Sequence, residues 1–401
     1  MRLARIGCVD LDTFFVSVER ILDPSLVGKA VVVGGHKGGR GVVTSASYEA
    51  RAFGVRSGIS IRDATKLAPH AVFVPGHHDE YSDYSARARA IVERFSPIVV
   101  AASIDEQYVD FHGCESLYRK QDDADDDATI LRVVRTMTQT IEDELRLPAS
   151  AGLATSKSMA KVACGLAKPK GVILVPSGTE EATLAPLSVR KLPGIGPVSE
   201  EKLARLGITT LGMLAATPEK VLAPIFGAYV PGILRDTRGL GSSDLGRERP
   251  AFREHDPAGE YAGSISNERT FVETSPAATE SILCGLCERV TSRARSRGVR
   301  AGRITLRLRY ADFHTITRSR TVEPSSEDVV IHREVFSLYR RARMRSLPVR
   351  LVGVALSKLS LDAPQLRLAT FERGDRRCRA VDDVRDKFGY DAVHLATTLE
   401  R

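Results

Sequence analysis

The sequence predicts an α+β protein made of several domains. Its 401 residues allow two to four domains of the usual size, roughly 100–200 residues each. Helix-like and strand-like patterns are mixed along the chain, as expected when both kinds of element share a core. Residues 261–360 follow a simple order of elements, βαββαβ, which is typical of a ferredoxin-like sandwich.

The composition excludes several classes of protein. No apolar run approaches the roughly 18 residues that a membrane-spanning helix needs, and the N-terminus has no apolar signal core. The six cysteines are scattered, which fits a reducing cytoplasm better than a disulfide scaffold. The one close pair, Cys284 and Cys287, has no second pair to complete a zinc site, so we expect core packing. We therefore expect a cytoplasmic location and no membrane partner.

The first 145 residues alternate short strands and helices. The expected strands cover 3–12, 29–33, 42–45 and two pieces within 97–111, and the expected helices cover 13–22, 47–53, 60–67, 79–95 and 128–145. The five aspartates within 122–127 are expected to form a solvated loop without a metal role. The Gly-rich loop at 34–41 lacks the Gly-Lys-Ser/Thr ending of a Walker loop, so we interpret it as a mobile connection.

The middle of the chain is helical from about residue 156. Within it, Leu192–Pro197 joins two short helices through Gly194 and Gly196. Glycines at such a corner let backbone N–H groups approach a phosphate, which would bind DNA without reading its sequence. The alternative is a tight corner between helices that binds nothing. Residues 237–260, rich in Gly, Pro, Ser and charge, are interpreted as a linker.

Residues 261–360 carry the positive charge of the chain. They hold 17 Arg and one Lys against nine Asp and Glu, whereas the net charge of the whole chain is +8. The expected strands are 264–272, 302–310, 314–322 and 350–359, and the expected helices are 275–297 and 327–344. In the second strand, apolar residues alternate with Arg307 and Arg309, which predicts an open face of arginines. Such a face can lie on a phosphate backbone, and a solvated surface is the alternative.

Two acidic clusters are associated with strand-like segments. Asp10 and Asp12 stand at the end of the first strand, and Asp105 and Glu106 interrupt a run of hydrophobic and small residues. Buried carboxylates are costly unless they are paired or bound to a cation. Acids that converge from two strands can hold two hard cations such as Mg²⁺, which together promote an in-line displacement at phosphorus. Alternatively, each acid caps a turn or pairs with an arginine.

A second group of residues suits a triphosphate. Tyr48 and Arg51 are three residues apart, hence on one face of a helix, and Lys157 lies far along the chain. An arginine, a lysine and a phenol hydroxyl together can bind a triphosphate. The alternative is an ordinary surface helix, which the spacing alone does not distinguish.

Five segments of this sequence resemble the signature blocks of Y-family DNA polymerases. They stand in the order and spacing of that family, and the resemblance, above all to the bacterial polymerase IV branch, covers about 360 residues. The segments are DLDTFFVSVE at 10–19, SYEARAFGVRSG at 47–58, SIDEQYVD at 103–110, SKSMAK at 156–161 and LPGIG at 192–196.

The resemblance implies a DNA polymerase of low fidelity that adds dNTPs to a primer 3′ end and copies past damaged template bases. Its parts would be a ferredoxin-like palm, fingers, a helical thumb with a helix-hairpin-helix, and a basic βαββαβ little finger. The implied boundaries are palm 1–12 and 79–165, fingers 13–78, thumb 166–236, linker 237–260, little finger 261–360 and tail 361–401.

The resemblance also implies roles for single residues at the active site. Asp10, Asp105 and Glu106 would be catalytic, and with the carbonyl of Leu11 they would hold two Mg²⁺ ions. Phe15 would be a steric gate beneath the incoming sugar. The residues implied to bind the nucleotide are Phe14, Phe15, Thr44, Tyr48, Arg51 and Lys157. One departure lies beside the metal site, where Gln107 replaces the alanine usual in the family.

Further implied contacts are with DNA and with a partner protein. The residues implied to bind primer–template DNA are Gly194, Gly196, Arg307 and Arg309. A tail motif would bind the replicative sliding clamp, although two extra residues precede its aromatic residue; the motif is Gln365, Leu366, Leu368 and Phe371. The protein would act as a monomer associated with the bacterial nucleoid.

Two other functions compete with polymerase activity. A non-catalytic accessory protein with a polymerase-like scaffold would bind DNA and partners, but it has no chemical need for intact metal and triphosphate residues. A two-metal nuclease would use the same acids, but it has no need for a triphosphate site or a sugar gate.

Overall fold

The computed structural model of the chain describes residues 5–39, 41–245, 260–274, 276–343, 345, 347–361 and 369–394. These residues fall into two compact units, Met1–Arg247 and Glu248–Arg401. Both units combine sheets with helices, which confirms the predicted α+β class. None of the helices in the described ranges is long and apolar enough to cross a membrane. Most of the predicted linker, 237–260, lies outside the described residues.

The N-terminal unit contains eight strands and twelve α-helices among its described residues, besides three short 3₁₀ helices. The strands are β1 (Ile6–Leu11), β2 (Val31–Val33), β3 (Ser45–Ala46), β4 (Val72–Val74), β5 (Ile98–Ala101), β6 (Glu106–Asp110), β7 (Ala149–Ala154) and β8 (Val172–Leu174). The helices are α1 (Phe14–Leu22), α2 (Tyr48–Ala52), α3 (Ile61–Leu67), α4 (His78–Val92), α5 (Glu115–Tyr118), α6 (Asp126–Leu145), α7 (Lys157–Ala167), α8 (Glu180–Leu184), α9 (Pro197–Arg205), α10 (Leu211–Ala216), α11 (Glu219–Phe226) and α12 (Val230–Thr237).

The main sheet of this unit has the order β5-β6-β1-β7-β8, so β1 is its middle strand. β1 pairs antiparallel with both β6 and β7. Its side chains are buried on both faces: Val9 and Leu11 belong to one hydrophobic cluster, and Ile6 and Cys8 belong to another. Strands β1, β5, β6 and β7 with the helices between them follow a βαββαβ order whose first and third strands lie in the middle. This arrangement agrees with the ferredoxin-like palm that the resemblance implied.

Two strands of the main sheet were missing from the sequence-based prediction. β7 is the second neighbour of β1, and β8 runs parallel to β7 at the sheet edge. The sequence of β7 is ASAGLA, in which small residues leave little strand propensity. It is nevertheless buried at every position. Tertiary packing against β1 and α7 therefore decides its conformation.

The smaller sheet has the order β3-β2-β4. The predicted strand at 42–45 is only partly correct: Val42 forms an isolated bridge with Ser60, and the strand itself is Ser45–Ala46. The β2 and β3 strands pack with helices α2 and α3 around a small apolar cluster of their own. Val32 of β2 belongs to this cluster, whereas Val31 and Val33 belong to the hydrophobic cluster of the main sheet, so β2 connects the two.

The aspartate run before α6 is not a simple solvated loop. The Asp125 carboxylate accepts a hydrogen bond from the backbone N–H of Ala128 at 2.7 Å and caps the helix. The Arg132 side chain donates to Asp123 through two nitrogens, at 2.9 and 2.7 Å. These hydrogen bonds hold the pKa of Asp123 well below its usual range. The run thus starts and anchors the helix that covers β7.

The C-terminal unit follows the predicted βαββαβ order and ends in an additional helix. Its strands are β9 (Glu260–Thr274), β10 (Val299–Tyr310), β11 (Thr315–Ser325) and β12 (Val349–Leu361). Its helices are α13 (Pro276–Ser296), α14 (Asp328–Ala342) and α15 (Ala369–Phe388). The sheet order is β11-β10-β12-β9, so the second and fourth strands lie in the middle, unlike in the main sheet of the N-terminal unit. Cys284 and Cys287 are buried, in agreement with the expected core packing.

Helix α15 occupies 20 residues of the segment 361–401, which was expected to be a tail. Ion pairs join it to α13: Arg295 contacts Asp382 at 2.5 Å, and Arg385 contacts Glu288 at 2.5 Å. The side chains of the second pair are only 4% and 1% exposed. Three residues of the predicted clamp motif, Gln365, Leu366 and Leu368, lie outside the described residues, and Phe371 falls in the first turn of α15. The end of the chain is therefore part of the C-terminal unit.

The buried pair yields a prediction about stability. Arg385→Ala should lower the free energy of unfolding of the C-terminal unit by about 3–5 kcal/mol, because it leaves the Glu288 carboxylate buried without its arginine. Urea unfolding followed by circular dichroism measures the effect. Arg345→Ala is the matched control, since its ion pair with Asp312 is about 40% exposed on both sides and should contribute less than about 1 kcal/mol. Equal losses in the two variants would contradict the prediction.

Candidate active site

The acids predicted to be catalytic meet at one end of the main sheet. Asp10 and Glu106 are paired residues of β1 and β6, so their side chains leave the sheet on the same face. Asp105 directly precedes β6, and its carbonyl accepts a hydrogen bond from the N–H of Leu11 at 2.9 Å. Its side chain accepts a hydrogen bond from the Ser103 hydroxyl at 2.6 Å. The antiparallel register of β1 and β6 thus brings the two acidic clusters together.

Two lysines form ion pairs with acids of this group. Lys161 of α7 donates to Glu106 Oε2 at 2.5 Å. Lys168, just after α7, donates to Asp10 Oδ1 and lies 3.6 Å from Asp12 Oδ1. Sequence reasoning gave neither lysine a role, although Lys161 belongs to one of the five segments. Helix α7 crosses this face of the sheet, which is why its lysines reach the acids.

The electrostatics of the acids fit a bound cation. Burial raises the pKa of Asp10, Lys168 opposes the rise and the negative charges of Asp105 and Glu106 add to it, and the net result is a pKa of about 6. Glu106 Oε1 is buried and has no hydrogen-bond partner in the part of the chain that the structure describes. Among the same residues, no three His, Cys, Asp or Glu side chains are grouped as metal ligands. In this conformation the carboxylates of Asp10 and Glu106 contact lysines and are not arranged around a common metal position.

Asp12 organises the surroundings of the acids. It is almost completely buried and accepts hydrogen bonds from the Ser150 hydroxyl at 2.7 Å and from the Lys170 backbone N–H at 2.8 Å. The Tyr48 hydroxyl lies 3.4 Å from its other oxygen. One carboxylate therefore joins β1, β7, the segment after α7 and helix α2.

The residues predicted to bind a triphosphate begin with helix α2. Arg51 lies over the Tyr48 ring at 5.2 Å and donates to the Ala46 carbonyl at 2.9 Å. Burial and the neighbouring Asp12 raise the pKa of the Tyr48 hydroxyl, so it stays protonated and able to donate. The Thr44 hydroxyl donates to the Val33 carbonyl at 3.0 Å. Tyr48 connects this group to the acids through Asp12.

Lys157 is hydrogen-bonded to the segment that follows α12. Its backbone N–H donates to the carbonyl of Ser242 at 3.0 Å, and its Nζ donates to the carbonyl of Asp244 at 3.0 Å. Lys168, by contrast, donates a hydrogen bond directly to Asp10. Of the two lysines, Lys168 is the one that the structure brings to this site.

The two phenylalanines at the start of α1 have different environments. The Phe14 side chain is 2% exposed and belongs to the hydrophobic core. The Phe15 side chain is half-buried and stacks on Tyr81, with ring centroids 4.3 Å apart and planes at 18°. Phe15 therefore offers a ring surface beside the acids' strand, whereas Phe14 has only its backbone to offer a ligand.

The predicted DNA-contacting glycines lie before α9. Gly194 has a φ of +93°, a left-handed conformation that favours glycine, and a Cβ built there would meet open space. Gly196 is the N-cap of α9, and Pro197 is its first residue. The corner predicted between two short helices is present, with its backbone unobstructed by side chains.

Arg307 and Arg309 lie on the predicted face of β10. Ile304, Leu306 and Leu308 are buried on the opposite face, which confirms the alternation. Arg307 donates to Glu268 at 3.0 Å, and Arg309 donates to the Thr315 hydroxyl at 2.9 Å. These neighbours hold both guanidinium groups on one face of the C-terminal sheet.

Family models match most of the chain. The impB/mucB/samB family matches residues 9–165, its C-terminal domain matches residues 262–368, and the IMS family HHH motif matches residues 177–208. The chain is 36% identical over 403 residues to DNA polymerase IV of Dehalococcoides mccartyi strain CBDB1, covering 99% of this chain and 98% of that protein. It is 37% identical over 377 residues to DNA polymerase IV of Streptomyces coelicolor, covering 92% of this chain and 73% of that protein.

Two solved structures have a similar fold. A Y-family DNA polymerase chimera gives a TM-score of 0.74 at 24% identity, covering 88% of this chain and 99% of that one. An insertion ternary complex of Dbh DNA polymerase gives a TM-score of 0.61 at 23% identity, covering 89% of this chain and 99% of that one. These similarities confirm the predicted architecture of palm, fingers, thumb and little finger.

The raised pKa of Asp10 yields a prediction about stability and pH. Because the folded chain holds the Asp10 proton up to a pKa of about 6, above the ordinary 3.8, the folded state binds more protons than the unfolded state between these values. Stability therefore falls as pH rises through this window. Asp10→Asn removes the titration, so its stability relative to wild type should increase from pH 4 to pH 7. Thermal unfolding with a metal chelator measures the difference.

Asp123→Asn is the control for this prediction, because the sign is reversed. Arg132 lowers the pKa of Asp123, so the stabilisation by this carboxylate is present at neutral pH and is lost as pH falls. Because this loss takes place below the ordinary value of 3.8, the stability of the variant relative to wild type should decrease from pH 2 to pH 4 and stay nearly constant from pH 4 to pH 7. The same pH trend in both variants would refute the sign for Asp10.

Proposed function

The chain belongs to the impB/mucB/samB family, and on this premise we propose that it is a template-directed DNA polymerase of low fidelity that copies past damaged bases. The observation that carries the proposal is the convergence of Asp10 and Glu106 on one face of the sheet, in a chain that is similar along its whole length to DNA polymerases IV. Such a polymerase adds dNTPs to the 3′ end of a primer.

Y-family membership implies a requirement for a divalent metal. We propose that Asp10, Asp105, Glu106 and the carbonyl of Leu11 hold two Mg²⁺ ions. When bound, the ions would activate the primer hydroxyl and stabilise the leaving pyrophosphate. Carboxylate and carbonyl oxygens are the ligands that Mg²⁺ prefers, and the unpartnered Glu106 Oε1 supports the assignment. The lysine contacts described above offset part of the negative charge of the acids without metal.

We propose that the triphosphate is bound by Tyr48, Arg51, Thr44 and a lysine. Lys157 was the lysine expected from the sequence, but Lys168 is better supported because its Nζ contacts the acids. Burial lowers and Asp10 raises the pKa of Lys168, with a net rise that keeps it charged at neutral pH. A charged lysine can transfer from a carboxylate to a phosphate without a change of protonation.

The sugar of the nucleotide is proposed to lie against Phe15. Its half-buried ring leaves room for a deoxyribose, whereas a 2′-hydroxyl would meet the ring and misplace the nucleotide. Small misplacement is expensive, since about 1 Å can cost on the order of 10²-fold in rate. Phe14 would contribute through its backbone.

DNA contacts are proposed for two separate surfaces. The Gly194 and Gly196 corner would bind the phosphate backbone through N–H groups. Arg307 and Arg309 would bind it through the open face of the C-terminal sheet, with an affinity that decreases steeply with salt. Both surfaces bind phosphates rather than bases, as a polymerase that accepts any sequence requires.

The domain boundaries and the other partners remain part of the same proposal. The palm would be 1–12 and 79–165, the fingers 13–78, the thumb 166–236 and the little finger 261–360. The protein would act as a monomer in the cytoplasm, associated with the nucleoid. The motif from Gln365 to Phe371 would bind the sliding clamp weakly. Because α15 is anchored to α13 by ion pairs, deleting the tail would also disturb the little finger.

Primer extension tests the proposed function. Wild type should extend a primer past an abasic site, and Glu106→Gln should reduce extension by at least roughly 10²-fold while DNA affinity is unchanged. Glu180→Gln is the matched control: Glu180 is also buried and accepts a hydrogen bond from Thr155 at 2.7 Å, so its extension rate should be near wild type. Near-normal extension by Glu106→Gln would refute the catalytic assignment.

A second prediction distinguishes the two lysines. Lys168→Ala should raise the KM for dNTP by about tenfold or more, since a hydrogen bond to a charged group is worth about 1.5–3 kcal/mol. Lys157→Ala should change it by less than about threefold, because its Nζ is bonded to a backbone carbonyl. Steady-state kinetics with a single dNTP measures both. A larger effect at Lys157 would restore the assignment made from the sequence.

A further inference from the structure

Glu19 is a buried carboxylate that the proposed chemistry does not use. It lies on α1 and is 2% exposed. The Tyr81 hydroxyl and the His77 backbone N–H donate to its Oε1, the latter at 3.2 Å. The His77 ring Nδ1 lies 2.9 Å from the same oxygen. Every one of these contacts comes from the first turn of α4 or from its N-cap residue.

The same turn of α4 carries the ring against which Phe15 lies. Tyr81 is completely buried, and its ring stacks on Phe15 at 4.3 Å. The His78 ring approaches Phe15 edge-on at 6.1 Å. Phe15 and Glu19 are four residues apart on α1, so both side chains lie on one face of that helix. α1 therefore contacts the first turn of α4 twice, through a stacked pair of rings and through a carboxylate.

The carboxylate is the stronger of these two links. A buried charge is tolerated only where donors surround it, and hydrogen bonds to an ionised group are roughly twice as strong as neutral ones. The start of a fifteen-residue helix adds a favourable dipole for a negative charge. A leucine at this position would fill the core but would not specify the distance between the two helices. The carboxylate fixes where the Tyr81 ring stands.

We propose that Glu19 is a positioning residue for sugar selection, which holds Tyr81 and the first turn of α4 so that the Phe15 ring stands where it excludes a 2′-hydroxyl. The inference rests on the proposed polymerase function and on the gate assigned to Phe15. Glu19 itself would not touch the nucleotide. Its loss would let Tyr81 and Phe15 shift together, so that ribonucleotides enter more easily.

The test compares kcat/KM for dCTP and rCTP opposite a template guanine. Phe15→Ala gives the discrimination expected when the gate is absent. Glu19→Leu should raise the rCTP/dCTP ratio by about tenfold, since a shift well below 1 Å suffices. Tyr81→Phe keeps the ring but loses the hydroxyl, and it should raise the ratio in the same direction. Glu19→Gln retains an acceptor oxygen and should restore discrimination to near wild type.

Glu115→Leu is the control for a purely structural role. Glu115 is another buried acid of the same unit, 4% exposed and paired with Arg5 at 2.5 Å. Its loss should lower the melting temperature without changing the rCTP/dCTP ratio. A comparable rise in the ratio for Glu115→Leu would show a nonspecific effect and overturn the proposal.

The possible failures are distinguishable. A wild-type protein that does not extend primers contradicts the proposed function itself, and an unchanged ratio in Phe15→Ala contradicts the gate. If Phe15→Ala loses discrimination and Glu19→Leu does not, the role of Glu19 is wrong. If Glu19→Leu does not fold, Tyr81→Phe decides, and a wild-type ratio in that variant overturns the proposal.

Discussion

The structure depends on burying carboxylates at the end of its middle strand. β1 lies between β6 and β7, so the side chains at its end are surrounded by protein on both sides. A carboxylate in such a position needs donors or cations, and each acid here receives its own. Asp12 is surrounded by β7, α2 and the segment after α7, while Asp10 and Glu106 receive lysines. The elements around the strand end are those that supply these groups.

This constraint explains how the site remains ready for a cation. Burial and the nearby charges of Asp105 and Glu106 raise the pKa of Asp10, so protonation of this carboxylate competes with the binding of a cation. The lysines offset the repulsion between the carboxylates. They leave one oxygen of Glu106, Oε1, without a hydrogen-bond partner within the described ranges. The lysine contacts are single hydrogen bonds at partly exposed side chains, which a more highly charged ion can replace.

Patterns that repeat along a single element were sufficient to predict much of the fold and the acids of the site. Contacts between distant segments could not be predicted in this way. The alternation along β10 and the apolar run of β1 are visible in sequence because each follows one element's own period. β7 was not predicted because its small residues have a low propensity for strands. Its conformation follows from its buried position in the sheet. Lys168 was missed because its role arises from where α7 ends over the sheet. The docking of α15 was missed because it rests on ion pairs such as Arg295–Asp382, which have no periodicity.

The position of β1 in its sheet also determines when this strand can fold during synthesis. It is translated first, but β6 follows about 100 residues later and β7 about 140 residues later. At roughly 5–20 residues per second, this strand waits on the order of ten seconds without its hydrogen-bonded neighbours. The insertion between β1 and β5 has its own small apolar cluster and can form earlier. A nascent chain thus carries an unpaired apolar strand until most of its N-terminal unit has emerged, and during that time the strand can pair with other chains.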